Sequence, residues 1–545
     1  MAKRFIRHAP AVFLPLALAT ALVWYYDTYV NWQPAVYPFA LATVTAGVAA
    51  LTLFLLRARG ETRIKILLRK TLLAAAVFSG VVLFGISFLI NNIIGNGHMA
   101  RTAAAVAMPL AAVYILILCA LLFAALWKQN SRKSAWALLS SVTAVSLFLL
   151  AALIPLYGHM LRPANAAGQN SPTALRFKQD GSFKIIQVTD LHVRSPARVP
   201  IMRDFFYDLA EKERPGLFVL TGDITWGTRS GTRSAFKHNI SSFMCIFDEI
   251  YRDFGIPVTM VFGNHDTEDG WLSRAEAFGF YAAHESFIGW ASAADEGAGD
   301  MLGPYCGTHN LVVMDRAGNE PICNIWLFDS GSSSELGGHG CVQRPQIDWF
   351  NSTNAALGYL PSIAFQHIVV PEVFDLLTPA GTEDENTFSA EFFDADGNSS
   401  VRYVSQTLPE GALGEMRETP CPPTAVNEGQ YAALCGAGNV LALFFGHEHQ
   451  NTFELRPEGK TDLVNCPVSG FESYGDIDQR GVRVITLRDG SLTTYDTRCV
   501  SYQGFYGGAL RQARLETYRN MGTGAVVRDA LFFKPLLWLT GRFTK

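Results

Sequence analysis

The sequence predicts an N-terminal α-helical membrane bundle followed by a soluble α/β domain, because five long apolar runs precede residue 158 and an ordinary soluble composition follows it. A single hydrophobic core usually stops growing near about 250 to 300 residues, so a chain of 545 residues should form more than one unit. We expect a membrane region at 1–158, a linker at 159–180, an α/β domain at 181–500 with an acidic insertion at about 373–430, and a basic tail at 501–545.

The membrane region contains five apolar runs, at 10–26, 36–56, 71–94, 103–127 and 135–157, each close to the roughly 20 residues that cross a bilayer as a helix. The first run also fits the apolar part of a signal peptide, but it has no clear cleavage site, so we favour a retained helix. Lysine and arginine are frequent before the first run and in the second and fourth loops. Because these residues resist translocation, we expect a multi-pass membrane protein with a cytoplasmic N-terminus and an extracytoplasmic soluble domain.

Overall charge and cysteine content limit the function classes. The net charge of −4 supplies no field that would attract nucleic acid, so we expect no nucleic-acid partner. All nine cysteines except Cys119 lie in the soluble part. These eight cysteines are even in number, so they could pair as disulfides in an oxidising compartment. The equally open alternative is that they are small buried hydrophobic side chains.

Short apolar runs in the soluble part end abruptly in polar motifs. These runs lie at 183–188, 217–220, 258–262, 325–328, 363–365 and 440–445. Apolar residues at helical spacing lie between the first three, at 201–209 and 236–251. This alternation predicts largely parallel strands, and the ligands of such sheets collect beyond the carboxyl ends of the strands. The polar motifs should therefore converge on one edge.

The stretch 373–430 differs, with eleven acidic and two basic residues and no strong periodicity. We interpret it as an inserted loop region. A solvated insertion is the simpler reading, and a substrate lid is the functional alternative.

Carboxylates, an amide and imidazoles follow these runs, and such groups bind divalent metals. The motifs are Asp190-Leu-His192, Gly222-Asp223, Gly263-Asn264-His265-Asp266, His367 and Gly446-His447-Glu-His449. Each motif alone is weak evidence, but their combination and order predict a pair of metal ions with Asp223 as the natural bridge. His367 is chosen over His284, His309 and His339 because it ends an apolar strand.

Together these motifs resemble the calcineurin-like metallophosphoesterase family over about 183–496. Three weaker motifs, at 327–331, 346–350 and 480–483, resemble the branch related to purple acid phosphatases. The resemblance implies a four-layer α/β/β/α sandwich, a phosphate-ester substrate and two divalent ions of manganese, iron or zinc. It assigns Asp190, His192, Asp223 and His449 to one ion, and Asp223, Asn264, His367 and His447 to the other.

Two positions depart from the purple acid phosphatase pattern. Trp226 stands where those enzymes place a metal-binding tyrosine, and His192 stands where they usually have glycine. We therefore do not expect a coloured iron(III) site.

The resemblance also implies a mechanism in which the ions activate water and neutralise the phosphate oxygens. His265, positioned by Asp266, would contact the substrate and protonate the leaving oxygen. The residues leave open whether the substrate is a monoester, a diester or a lipid-linked ester. The alternative is an inactive phosphoesterase-like domain that acts as a ligand-binding or sensor module on a membrane protein, and the complete ligand set favours the enzyme.

Overall fold

The computed structural model describes residues 174–194, 199–227, 233–268, 272–289, 305–334, 338–382, 384–394, 396–519 and 529–537. The predicted membrane region at 1–158 and most of the predicted linker lie outside these residues. Within the described part of the chain, no helix has both the length and the apolar composition needed to cross a bilayer. Residues 529–537 belong to a different compact unit from the rest and contain the π-helix Asp529–Phe533.

The strands form two large sheets and a separate hairpin. They are β1 Leu175–Arg176, β2 Ser182–Val188, β3 Leu217–Thr221, β4 Val258–Val261, β5 His309–Met314, β6 Pro321–Leu327, β7 Ser362–Phe365, β8 Thr387–Phe393, β9 Ser399–Ser405, β10 Val440–Phe445, β11 Glu454–Leu455, β12 Asp462–Asn465, β13 Gly481–Arg488 and β14 Asp496–Ser501. One sheet has the order β1-β5-β6-β7-β10-β12-β11, the other has the order β14-β13-β2-β3-β4, and β8 pairs only with β9.

The helices lie between the strands and at the end of the domain. They are α1 Val199–Glu213, α2 Arg233–Phe254, α3 Arg274–Ala282, α4 Arg344–Ala356, α5 Val373–Leu376, α6 Gln430–Ala437, α7 Tyr502–Phe505 and α8 Ala509–Arg519. The two predicted helical segments at 201–209 and 236–251 lie within α1 and α2. Strand and helix therefore alternate as the sequence predicts.

Both sheets have parallel centres. Strands β2, β3 and β4 run parallel in the smaller sheet, and β6, β7, β10 and β12 run parallel in the larger one. Antiparallel strands flank each centre, with β13 beside β2 and β5 beside β6. Each of the six predicted apolar runs contributes one of these strands.

The two sheets face each other across an apolar core. Ile185, Val219 and Val261 of the smaller sheet share a cluster of buried side chains with Phe365 and Phe444 of the larger sheet. Because strand side chains alternate between the two faces, this cluster specifies the register: a one-residue slip would turn the apolar side chains outward. Removing an aromatic ring such as Phe365 from the cluster would cost about 3–5 kcal/mol of stability.

Helices cover both outer faces. On the smaller sheet, the ring of Phe218 lies 5.2 Å from that of Phe247 on α2, which in turn stacks on Phe206 of α1 at 6.0 Å. On the larger sheet, Phe350 of α4 and Leu434 of α6 join a second buried cluster. The layers are therefore α/β/β/α, which confirms the predicted sandwich.

The acidic insertion contains regular structure, so its prediction as a loop region is wrong. It includes α5 and the β8–β9 hairpin, whose turn is held by Oδ1 of Asp394 accepting the N–H groups of Asp396 and Asn398. Alternating exposure along β8 shows the period of two that a half-buried strand requires. Farther along, Met416 bridges to Asn451, so this part of the insertion lies beside the strand-end loops.

The beginning of the predicted basic tail packs on α1. The ring of Tyr502 stacks on Phe205 at 3.8 Å, and Arg514 forms an ion pair with Asp204 at 2.6 Å. Of the rest of the tail, 520–528 and 538–545 lie outside the described residues. The described portion through Arg519 is therefore part of the domain's packing.

Six cysteines of the described residues carry free thiols: Cys323, Cys341, Cys421, Cys435, Cys466 and Cys499. Cys306, Cys323 and Cys466 are buried in the domain, where burial raises the pKa of Cys323 to about 12. Cys119 lies outside the described part. In the described part of the chain, these six cysteines are small buried or surface side chains.

Candidate metal centre

The predicted ligands lie just beyond the carboxyl ends of strands in both sheets. They are Asp190 and His192 after β2, Asp223 after β3, Asn264 after β4, His367 after β7, and His447 and His449 after β10. Nε2 of His367 lies 3.3 Å from Oδ2 of Asp223, although the two residues follow strands of different sheets. The two sheets therefore present these side chains at one shared edge.

Four of these residues have a left-handed backbone, which is uncommon for residues other than glycine. The φ angles are 53° at Asp190, 48° at His192, 50° at Asp223 and 73° at His447. Hydrogen bonds hold these conformations: His192 N–H donates to the Asp223 carbonyl at 2.8 Å, and His447 N–H donates to Oδ2 of Asp190 at 2.9 Å. Such local strain persists where the surrounding structure determines it, and it clusters at functional sites.

Close packing around Asp223 explains why residue 263 is a glycine. A Cβ on Gly263 would lie 2.2 Å from Oδ1 of Asp223 and 2.3 Å from its backbone nitrogen. No other residue fits at this position without moving the carboxylate. The Gly-Asn-His-Asp motif therefore begins with glycine because the turn after β4 passes directly over the turn after β3.

The first ligand group consists of Asp190, His192 and His449, all buried. Nε2 of His192 lies 3.2 Å from Nε2 of His449, and Oδ1 of Asp190 lies 3.3 Å from the latter atom. Oδ1 of Asp190 is buried without a hydrogen-bond partner. A buried carboxylate oxygen left unpaired among imidazole nitrogens is costly unless a cation occupies the space.

The second ligand group consists of Asp223, His367 and His447. Asn264 adds an amide, with Oδ1 at 3.1 Å from Nε2 of His367. Nδ1 of His367 donates to the Thr221 carbonyl at 2.8 Å, which directs the lone pair of Nε2 into the group. This arrangement of oxygen and nitrogen donors fits a divalent ion.

Asp223 lies between the two groups. Its Oδ2 is 3.6 Å from Nε2 of His192 in the first group and 3.3 Å from Nε2 of His367 in the second. Its Oδ1 accepts the N–H of His265 at 2.8 Å. One carboxylate oxygen is thus shared by both groups, as a bridging ligand requires.

Neighbouring charges and burial shift the pKa values of the predicted ligands in different directions. Burial lowers the pKa of His192 to about 3, so its imidazole is neutral and able to bind a metal. Burial raises the pKa of Asp190, but His449 and His367 outweigh burial and bring it to about 2. Burial likewise lowers the pKa of His367, but Asp223 and Asp190 raise it to about 10. Without a cation, His367 therefore neutralises the two carboxylates, and a metal would compete with its proton.

A family model described as calcineurin-like phosphoesterase matches residues 183–451, which include every strand end described above. Residues 183–451 form a calcineurin-like phosphoesterase domain. The chain is 26% identical over 347 residues to "Probable inactive purple acid phosphatase 14" of Arabidopsis thaliana, an alignment covering 57% of this chain and 76% of that protein. It is 24% identical over 271 residues to "Phosphatase DCR2" of Saccharomyces cerevisiae, covering 45% of this chain and 44% of the yeast protein.

These relatives confirm the predicted family and its link to purple acid phosphatases. Among solved structures, the chain is similar to a dimetal phosphatase from Danio rerio, with 14% identity and a TM-score of 0.36. That match covers 56% of this chain and 93% of the fish protein.

In the phosphoesterase domain, Glu268 contacts the ring of His265, whereas the predicted partner Asp266 contacts the backbone of the same turn. Nδ1 of His265 lies 2.6 Å from Oε2 of Glu268. Asp266 is buried and turned inward, where it accepts the N–H groups of Thr225 at 2.9 Å and Gly263 at 2.8 Å. Asp266 therefore stabilises the turn that carries Asn264 and His265.

Trp226 borders the first ligand group of the phosphoesterase domain. Its ring centroid lies 4.9 Å from that of His192 and 5.3 Å from that of His265. The Arg194 guanidinium lies 5.0 Å from the indole centroid. The indole thus contributes an aromatic wall at the position where purple acid phosphatases carry a tyrosine ligand.

The sequence interpretation rejected His339 as a ligand, and the structure places it beside the second group. Nε2 of His339 lies 3.3 Å from Nε2 of His447, and the two rings meet edge to face at 4.3 Å. His339 belongs to neither ligand group. Because it lies in a glycine-flanked loop, no strand pattern marks it in the sequence. The signal in the sequence that could have identified His339 is that it is a histidine.

Proposed function

We propose that the phosphoesterase domain hydrolyses phosphate esters at a dinuclear divalent metal centre. The observation that carries this proposal is the pair of ligand groups joined by Asp223, with the unpaired Oδ1 of Asp190 buried between imidazole nitrogens. Asp190, His192, Asp223 and His449 would hold one ion, and Asp223, Asn264, His367 and His447 the other. Manganese, iron(II) and zinc all suit such nitrogen and oxygen donors.

The protein's own groups divide the work around these ions. When bound, the ions would supply Lewis-acid activation of water and neutralise the charge of the phosphate oxygens. Asp223 would contact both ions, and its Oδ1 accepts the backbone N–H of His265. His265 is partly exposed beside the centre, and its ring is oriented by Glu268. It can therefore donate a proton to the leaving oxygen of an ester.

The second candidate function is an inactive phosphoesterase-like domain that binds a ligand as a sensor. The names of the Arabidopsis relatives favour it, since three of them carry the word "inactive". Those names describe those proteins. In this chain each of the predicted ligands is present, and the loops bring them within reach of one another. This completeness favours the hydrolase.

We further propose that the domain is anchored in a membrane by the apolar runs of 1–158 and lies outside the cytosol. The proposal is supported by the length of these runs and by the alternation of basic loops. Its implied partners are the lipid bilayer and a phosphate-ester substrate. A membrane anchor keeps lipid-linked esters among the substrates to be tested.

The full-length protein in detergent, reconstituted separately with manganese, iron(II) and zinc, provides the test. Phosphomonoesters, phosphodiesters, nucleotides and phospholipids are offered to the wild type and to Asp223→Asn, with metal content measured on the same samples. Metal-dependent hydrolysis that is lost in the variant supports the hydrolase. Two bound ions without turnover on any ester class would favour the sensor, and failure to bind metal would contradict both the centre and the activity.

A further inference from the structure

Tyr474 is an exposed aromatic residue packed on a proposed metal ligand. Its ring lies on the imidazole of His449 with centroids 4.0 Å apart and planes inclined by 19°. The residue is nevertheless 56% exposed, one of the most exposed large side chains in the described part of the domain. Part of the Tyr474 side chain therefore packs on the imidazole of His449, while much of it remains open to solvent.

The surrounding loops hold this ring in place. Nδ1 of His449 donates to the Tyr474 carbonyl at 3.0 Å, which ties the backbone to the same imidazole that the ring covers. The Tyr474 hydroxyl interacts with the carboxylate of Glu418, in the insertion. Glu418 is itself anchored, because its Oε1 accepts the N–H of Gln450 at 2.6 Å.

A charged clamp fixes the loop that follows Tyr474. Arg417 of the insertion donates to Asp476 at 3.0 Å and to Asp478 at 2.9 Å. The insertion thus contacts the Tyr474 hydroxyl through Glu418 and the loop that follows Tyr474 through Arg417. An exposed aromatic ring held at both ends is preorganised, so a flat group can stack on it without first ordering the side chain.

The ring lies within reach of an ester bound at the centre. His449 points its Nε2 toward the first ligand group, and the Tyr474 ring packs directly on this imidazole. A phosphate held by that group would lie beside this imidazole, and a substituent directed to the Tyr474 side would meet the exposed ring. Trp226 packs on His192, so each of the two imidazoles in the first ligand group has an aromatic ring against it.

We propose that Tyr474 is a substrate-binding platform that selects phosphate esters carrying an aromatic or heteroaromatic ring. The proposal rests on the proposed function, because it takes the phosphate to be held at the metal centre. Aromatic rings stack face to face with an offset, and a ring of either kind presents the required flat surface. Alkyl esters lack such a surface and gain nothing from the exposed phenol beyond loose contact.

The test compares binding of phenylphosphonate and methylphosphonate, which are not hydrolysed, to the manganese-loaded full-length protein by calorimetry. We expect the wild type to bind phenylphosphonate about tenfold more tightly, the scale of one aromatic pair. Tyr474→Ala and Tyr474→Leu should lose this preference, and Tyr474→Phe should keep most of it. Tyr359→Ala is the matched control, because Tyr359 is 54% exposed and precedes the amino end of β7, whereas the proposed ligands follow the carboxyl ends of strands.

The backbone carbonyl that holds His449 remains in every Tyr474 variant, so metal content should equal that of the wild type. Loss of metal from Tyr474→Leu would assign the ring a role in supporting His449 and would overturn the platform. Equal affinities of the two phosphonates for the wild type, or no binding of either, would also overturn it. A protein that prefers phenylphosphonate through Tyr474 yet hydrolyses no ester would instead contradict the proposed function alone.

Discussion

Oδ1 of Asp223 accepts the backbone N–H of His265 at 2.8 Å, so the residue proposed to contact the substrate is bonded to the carboxylate that joins the two ligand groups. The other oxygen of Asp223 faces His192 and His367. Asp223 therefore contacts both the proposed metal ligands and the backbone of the proposed proton donor. Substitutions at Asp223 and His265 should separate the two functions.

Asp223→Asn should lose metal and turnover together. The amide keeps the size of the side chain but removes the charge that both ions would share. Substituting residues that only hydrogen-bond to metal ligands already lowers metal affinity by roughly 10–100-fold, so loss of a ligand should cost more. Metal content by mass spectrometry and hydrolysis rates on the same preparation check this. Asp253→Asn is the control, since Asp253 lies on the outer helix α2 and accepts a hydrogen bond from the Tyr207 hydroxyl of α1. Two retained ions in Asp223→Asn would contradict the bridging role.

His265→Ala should keep both ions while lowering turnover by about 10² to 10⁴, the usual scale for a positioned proton donor. The loss should shrink for nitrophenyl esters, because a leaving oxygen of low pKa needs little protonation. A series of esters with leaving groups of graded pKa measures this dependence. Full activity on an alkyl ester would remove the acid role, and loss of metal would make His265 part of the centre.

His339→Ala should also keep both ions, because His339 lies outside the two ligand groups. Its Nε2 faces that of His447 at 3.3 Å, so it borders the space where a phosphate on the second group would lie. We expect weaker inhibition by inorganic phosphate, by about tenfold, the scale of one hydrogen bond to a charged group. If the variant instead holds a single ion, His339 is a ligand of the second group.

The strands and the ligands could be predicted because both depend on short, local patterns. A buried parallel strand is a mainly apolar run, and polar residues follow its carboxyl end, as Thr189 and Asp190 follow Val188. Asn264, His367 and His447 were found by the same rule. The predicted sandwich followed from the resemblance that these motifs carry.

Contacts between loops could not be predicted in this way. Asp266 is next to His265 in the sequence, yet the turn sends its carboxylate to Gly263 and Thr225, and Glu268 takes the expected place. His339 reaches His447 across 108 positions, and no periodicity encodes such a contact. The β8–β9 hairpin is not predicted because its strands are short and largely exposed, so no buried apolar run marks them.

The predicted topology places the phosphoesterase domain outside the cytosol. Five crossings from a cytoplasmic N-terminus lead to this result, and basic residues in the second and fourth loops support it. Protease added to intact cells or to sealed vesicles of known orientation should digest the domain only from the outer side. Cytosolic digestion alone would show that the number or the direction of the crossings is wrong.

Glu268→Gln should move the alkaline limb of the pH–rate profile to lower pH. Burial lowers the pKa of His265, but Glu268 and Asp223 outweigh burial and raise it above its ordinary value. The protonated donor thus persists to higher pH in the wild type, and removing the Glu268 charge should deprotonate it earlier. The limb is measured on an alkyl ester, for which donation matters most, with nitrophenyl phosphate as the insensitive comparison.

The same pair makes a prediction for stability, with a definite sign. A histidine whose pKa is raised in the folded state stabilises the fold below its unfolded pKa near about 6.5, and this contribution fades as the pH rises through the folded value. The difference in unfolding midpoint between wild type and Glu268→Gln should therefore be largest between the pKa of a glutamate and that of His265, and should vanish at alkaline pH. Asp348→Asn, which removes an exposed pair with Arg344 on α4, is the control for general charge effects. A difference that is constant across this range, or that grows at alkaline pH, would show that Glu268 does not act through the His265 proton.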